Sequence, residues 1–144
     1  MIDNIMIFKE KERKKMMKRI MVVDDEPDVL LSLKTVLENQ NYDVITVTNG
    51  KECLKELNKG FKGIILMDLM MPVMDGWETI NQIVKRGYIN DVAISIITGK
   101  GTRDFQKMSL LGSYIFDYLA KPLDIEKLIL SVEECKRYLY KKNT

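Results

Sequence analysis

Three aspartates, a threonine and a lysine stand where short apolar runs of the chain end. Ile20-Met-Val-Val23 runs into Asp24 and Asp25, Ile64-Ile-Leu-Met67 into Asp68, Val92 to Ile97 into Thr98, and Tyr114 to Leu119 stops just before Lys121-Pro122. If each run is a strand of one parallel sheet, these side chains converge on the crevice beyond the strands' carboxyl ends, where open α/β sheets bind ligands. Three carboxylates in one pocket repel one another unless a cation or a proton neutralises them. Oxygen-only ligation with room for water suits Mg²⁺. A divalent ion would lower the repulsion between Asp68 and an incoming phosphoryl group. Lys121 would add a second positive charge and Thr98 a neutral donor. Asp68, the most central carboxylate, is the candidate nucleophile, and its product would be an acyl phosphate. Taken singly, the pieces have plainer readings: a helix cap for Asp24-Asp25, and turn chemistry for Asp68, Thr98-Gly99 and Lys121-Pro122.

Composition narrows the field. The chain has no histidine, which excludes a Ser-His-Asp triad, a Cys-His nucleophile, a His-liganded zinc site and a phosphohistidine of its own. Cys53 and Cys135 are far apart and fall in helix-like patterns, so they read as inert thiols rather than a disulfide or metal pair. No apolar run approaches the roughly 18 residues needed to span a bilayer, and the start does not read as a signal peptide. The expectation is a cytoplasmic protein with no membrane partner. Residues 1–19 carry seven Lys/Arg against three Asp/Glu, a net of +4, while the remainder carries 16 against 18, a net of −2. The basic character therefore belongs to the leader and not to the body. Nucleic-acid binding through that leader is a minor alternative to a solvated tail.

The elements that must position the five residues alternate strictly. A fifth apolar run, Val44 to Val47, precedes Thr48, which is set aside as belonging to an edge strand. Between the runs, Val29, Leu30, Leu33, Val36 and Leu37 recur at helical spacing, as do Cys53, Leu54 and Leu57, then Trp77, Ile80, Ile83 and Val84, then Phe105 and Met108. The last such set is Ile125, Leu128, Ile129, Val132 and Leu139, after Asp124 as N-cap. Five strand–helix units predict a doubly wound α/β sheet with helices on both faces. Residues 1–18 show no apolar face and are expected to be a flexible extension, or at most a loose helix. Trp77 reads as a half-buried anchor, the methionines at 67, 70, 71 and 74 as packing, and Tyr138 and Tyr140 as a solvated helix end.

From about Arg19 to Tyr140 the chain resembles the receiver domain of two-component response regulators. The resemblance rests on Ile20-Met-Val-Val-Asp-Asp-Glu-Pro27, Met67-Asp-Leu-Met-Met-Pro-Val-Met-Asp-Gly76, Ile97-Thr98 and Tyr118-Leu-Ala-Lys-Pro122, in this order and at these spacings. It implies a flavodoxin-like (βα)5 fold with a central five-stranded parallel sheet. The domains would be an extension over 1–18, a receiver over 19–140 and a tail over 141–144. It further implies that Asp68 is the phosphoacceptor, taking phosphoryl from the phosphohistidine of a sensor histidine kinase or a histidine phosphotransfer protein. Asp25 would bind Mg²⁺ directly, Asp24 chiefly through water, and the backbone carbonyl of Met70 would complete the set. Lys121 would contact phosphoryl oxygens, with a cis peptide to Pro122. Thr98 would close on the phosphate, and Tyr118 would rotate inward behind it. The output surface, formed by the fourth helical pattern, the last strand and the last helix, would then change for a downstream protein, with a phosphorylation-linked dimer left open.

Such a protein is a signalling switch and not an enzyme acting on other substrates. With five residues after Leu139, no DNA-binding domain is expected on the chain. Starting at Met16 or Met17 would give the family's usual opening, in which case the leader has no role. Gly99 replaces the alanine common after the switch threonine, and Lys100-Gly101 follow. The run Gly112-Ser-Tyr-Ile-Phe-Asp-Tyr118 is two residues longer than usual between the glycine and the switch tyrosine, which bears on the output face. Met70 and Lys100 occupy the family's positions that modulate dephosphorylation and cannot align water, so slow self-dephosphorylation is predicted. A haloacid-dehalogenase-like phosphatase would need a second Asp where Met70 stands. The remaining alternative is a receiver-like module that binds partners without phosphorylation.

Overall fold

A computed structural model of the chain describes residues 3–99 and 104–143; Lys100 and Gly101 lie outside them. Five strands form one parallel sheet: β1 (Arg19–Val23), β2 (Asp43–Val47), β3 (Gly63–Asp68), β4 (Val92–Thr98) and β5 (Ile115–Ala120). Their order is β2-β1-β3-β4-β5, so β2 and β5 are the edges and the winding reverses between β1 and β3. That reversal opens a crevice at the carboxyl ends of the two strands. Every residue of β3 is buried, and only Thr98 of β4 is partly exposed. Continuous apolar runs are what a strand covered on both faces requires.

Six helices supply the cover: α1 (Asn4–Met17), α2 (Pro27–Asn39), α3 (Gly50–Asn58), α4 (Gly76–Lys85), α5 (Phe105–Leu111) and α6 (Ile125–Lys142). Leu30, Leu33 and Leu37 of α2 pack with Leu128, Val132 and Leu139 of α6 on one face. Cys53, Leu54 and Leu57 of α3 pack with Trp77, Ile80 and Ile83 of α4 on the other, where Met108 and Leu111 of α5 also settle. Each fully buried aliphatic side chain contributes about 1.5–3 kcal/mol. The helix starts follow local chemistry: Asn49, Asp75, Asp104 and Asp124 cap α3, α4, α5 and α6, each accepting a hydrogen bond from a backbone N–H of its first turn. Pro27 opens α2, where its missing N–H costs nothing. Both cysteines are buried, and burial pushes each thiol up to about 12.

Three features refine the sequence expectation. Trp77 is 5% exposed rather than half-buried, because it belongs to the core cluster that also holds Met67, Leu69 and Met71. The two extra residues before Tyr118 are taken up in a 3-10 turn, Gly112–Tyr114, and in a register shift of β5 against β4. Ile94 pairs with Ile115 and Ser95 with Asp117, leaving Phe116 as the extra residue, packed against Tyr138.

The third feature is α1, a 14-residue helix where a flexible extension, or at most a loose helix, was expected. Asp3 caps it by accepting from the Ile5 N–H at 2.6 Å. Its last turn docks: Met16 joins the core beside α2 and α6, and the Arg13 guanidinium lies over the Tyr140 ring at 5.4 Å. The chain passes so near the start of β3 that a Cβ on Gly63, at φ +152°, would lie 2.5 Å from the Arg19 carbonyl oxygen and 3.0 Å from that of Met16. Only glycine tolerates both the angle and the approach.

Candidate functional site

Asp24 and Asp25 leave the end of β1 at the winding reversal. The Asp24 N–H donates to the Val47 carbonyl, and its Oδ1 accepts from the Glu26 N–H at 2.9 Å, turning the chain into α2. Its carboxylate is wholly buried, whereas Asp25 is exposed. Asp68 closes β3, is 2% exposed and accepts from the Met70 N–H at 3.2 Å. Each of the three aspartates offers a carboxylate oxygen, and these oxygens all lie within 4.8 Å of one another.

Lys121 reaches this group from the far side. Its N–H donates to the Thr98 carbonyl at 2.8 Å, and the Lys121–Pro122 peptide is cis. Lys121 Nζ donates to Asp24 Oδ2 at 2.8 Å and stands 3.6 Å from both Asp68 Oδ1 and Glu26 Oε1. Burial alone would lower the pKa of this ammonium, but its bond to Asp24 and the charges of Asp68 and Glu26 outweigh that and raise it. Asp68 moves the other way from an ordinary carboxylate. Burial first, then the charge of Asp24, push its pKa up to about 6, against the pull of Lys121 and the Met70 N–H.

One ammonium, paired with Asp24, Asp68 and Glu26, thus stands against four carboxylates once Asp25 is counted, so the pocket holds excess negative charge. An all-oxygen donor set with an exposed member fits a hard divalent cation such as Mg²⁺. Thr98 sits at the end of the adjacent β4, with its hydroxyl donating to the Gly99 carbonyl at 3.1 Å. Tyr118, one strand further, pairs in register with Ile96 and is 39% exposed. The Met70 side chain is exposed, while Leu69 and Met71 on either side are buried and anchor the loop after Asp68. Asp24, Asp25, Asp68 and Lys121 are brought together, Thr98 is joined to them through the Lys121 backbone, and Tyr118 stands apart on the β5 edge.

Gly76 is a structural participant the sequence reading assigned no role. Its N–H donates to the Leu69 carbonyl at 3.0 Å, and a Cβ there would lie 2.4 Å from the Asp68 carbonyl oxygen and 2.8 Å from the Leu69 Cα. The start of α4 can therefore close over the Asp68 loop only with a glycine. Glu26, facing Lys121, was likewise unassigned.

Comparison with known proteins places these features in a family. The response regulator receiver domain model matches residues 20–133. The CpxR homolog of Haemophilus influenzae, a transcriptional regulatory protein, is 33% identical over 121 residues, covering 84% of this chain and 51% of that protein. The chain thus spans about half the length of such curated relatives. PilH of Pseudomonas aeruginosa is 29% identical over 118 residues, covering 81% of this chain and 95% of PilH. Among solved structures, the CheY-like receiver domain protein of Methanospirillum hungatei JF-1 superposes with a TM-score of 0.76 at 37% identity, covering 86% of this chain and 95% of that one. With its flavodoxin-like fold, its acidic pocket and these relatives, the chain belongs to the family of response regulator receiver domains of two-component signalling.

Proposed function

We propose that the chain is a phosphorylatable switch that takes a phosphoryl group onto Asp68 from the phosphohistidine of a sensor histidine kinase or a histidine phosphotransfer protein. The observation that carries this reading is the setting of Asp68: buried at the end of β3, with two further carboxylates within 4.8 Å and an ammonium at 3.6 Å. An Asp68 carboxylate oxygen attacks phosphorus, the P–N bond of the donor breaks, imidazole leaves and an acyl phosphate remains. Asp25, Asp68 and the Met70 carbonyl would hold Mg²⁺ directly and Asp24 chiefly through water. The ion would neutralise charge on the transferring oxygens.

Lys121 is close enough to Asp68 to meet a phosphoryl oxygen there. The Thr98 hydroxyl, bonded among the described residues to its neighbour's carbonyl, gains a partner that exists only in the phosphorylated state. Its inward pull and the outward-standing Tyr118 make a two-state element that phosphorylation biases. The exposed Phe105 and Leu110 of α5, Tyr118 of β5 and Ile125 of α6 then form the surface offered to a downstream protein. The switch works in the cytoplasm, turns over no substrate of its own, and loses its phosphoryl group slowly, with the apolar Met70 unable to align water.

Beryllofluoride, a tetrahedral mimic of the acyl phosphate, tests this reading against a module that binds partners without phosphorylation. Calorimetric titration in the presence of Mg²⁺ should show saturable uptake that disappears in Asp68→Ala. Absence of uptake by the parent chain would favour the binding-only module.

A further inference from the structure

The sequence alone reads residues 1–18 as a solvated extension with no membrane role; the position and exposure of α1 change that. Its last turn is fixed to the domain through Met16 and Arg13, but residues 3–9 are exposed throughout. Ile5, Met6, Ile7 and Phe8 stand in this free part at 63%, 63%, 42% and 63% exposure. Immediately behind them come Lys9, Lys11, Lys14, Lys15 and Lys18, all exposed, and none forms an ion pair among the described residues. Beneath the helix lies a cleft of about 500 Å³ that Phe8, Lys9 and Lys15 line from α1. The cations Arg13, Arg19 and Lys62 around it are paired with Glu10, Asp43 and Asp91, so the uncompensated positive charge is that of the helix lysines. We propose that α1 docks the domain on an anionic phospholipid surface, seating Ile5 to Phe8 at the headgroup–acyl boundary and its lysines among the headgroups.

The arrangement selects this occupant. Four consecutive residues at about 100° each encircle a helix rather than forming a stripe. A protein groove reads one face, at i, i+3, i+4 and i+7. An encircling apolar turn is satisfied by a fluid apolar layer entered from the helix end. Nucleic acid would use the lysines but has no place for the apolar turn. A second copy would set one lysine-rich helix beside another. An apolar anchor joined to a polybasic segment is the pair of signals that peripheral membrane binding requires. Asp3 and Asn4 beyond the apolar turn keep the seat shallow, and no helix among the described residues is long and apolar enough to cross a membrane.

The placement also orients the domain. α1 meets the sheet where β1 and β3 begin, and Asp24, Asp25 and Asp68 lie where those strands end. Strands of this length span about 17–20 Å. The basic end would face the anionic surface, and the acidic pocket would face away from it, open to a phosphoryl donor.

The test is flotation of the full chain with vesicles of phosphatidylglycerol and phosphatidylcholine in equal parts, beside vesicles of phosphatidylcholine alone. It needs no phosphoryl donor, so it is decided separately from the chemistry of Asp68. The chain should float with the anionic vesicles only, and less as salt is raised. Lys11→Gln with Lys14→Gln should weaken binding about fivefold per charge removed. Ile5→Ser with Phe8→Ser should weaken it about tenfold or more, with unchanged thermal unfolding because both side chains are exposed. No flotation with anionic vesicles would overturn the proposal. So would flotation of the Ile5→Ser/Phe8→Ser variant equal to the parent, since the helix would then be a general polycation; duplex DNA displacing both equally would mark it as such.

Discussion

In the absence of metal, Asp68 at neutral pH carries a charge that its surroundings disfavour. Burial and the neighbouring Asp24 push its pKa to about 6, whereas in the unfolded chain it releases its proton near pH 4. Between those values the native state holds the extra proton, so this residue's contribution to stability falls as pH rises through the window. The difference amounts to about 2–3 kcal/mol. Urea unfolding in the presence of a chelator should therefore find Asp68→Asn more stable than the parent at pH 7 and nearly equal to it at pH 4. Parallel pH profiles would contradict this. Added Mg²⁺ should narrow the gap by stabilising the parent, since the variant loses one carboxylate of the donor set.

Packing of elements, rather than side-chain chemistry, decides whether that carboxylate is held in place. The start of α4 closes onto the Asp68 loop because Gly76 has no side chain, and the atoms a Cβ would meet are backbone atoms that cannot swing aside. Gly76→Ala should cost about 1–3 kcal/mol of stability in urea unfolding and reduce the yield of phosphorylated protein. Gly99→Ala is the control: among the described residues a Cβ there meets nothing within 4 Å, and stability should change by less than about 0.5 kcal/mol.

At this scale the sequence was most readable. Continuous apolar runs ending in Asp24, Asp68 and Thr98 located β1, β3 and β4 and the polar side chains at their carboxyl ends, because a strand covered on both faces must be apolar throughout. What escaped it were consequences of tertiary approach. The need for glycine at position 76 arises from the Asp68 carbonyl across the turn, and the burial of Trp77 from its place in the core cluster with Met67, Leu69 and Met71. Phe116 became a bulge only because β4 dictates the register of β5. The docking of α1 rests mainly on Met16 and on Arg13 stacking over Tyr140, contacts too sparse to leave a periodic pattern.

Taken as a whole, the molecule has two chemically opposite ends. Its acidic pocket lies at the carboxyl ends of the strands, and its cationic helix is fixed where they begin. The pocket can serve as a switch only if Asp68 accepts phosphate, and intact mass is the most direct test. The protein should be incubated with acetyl phosphate, with Mg²⁺ or with chelator, beside Asp68→Ala. A gain of one phosphoryl group that requires Mg²⁺ and is lost in Asp68→Ala is the expected result. A gain of equal size in Asp68→Ala would place the phosphoryl group elsewhere and contradict the assignment of Asp68 as acceptor.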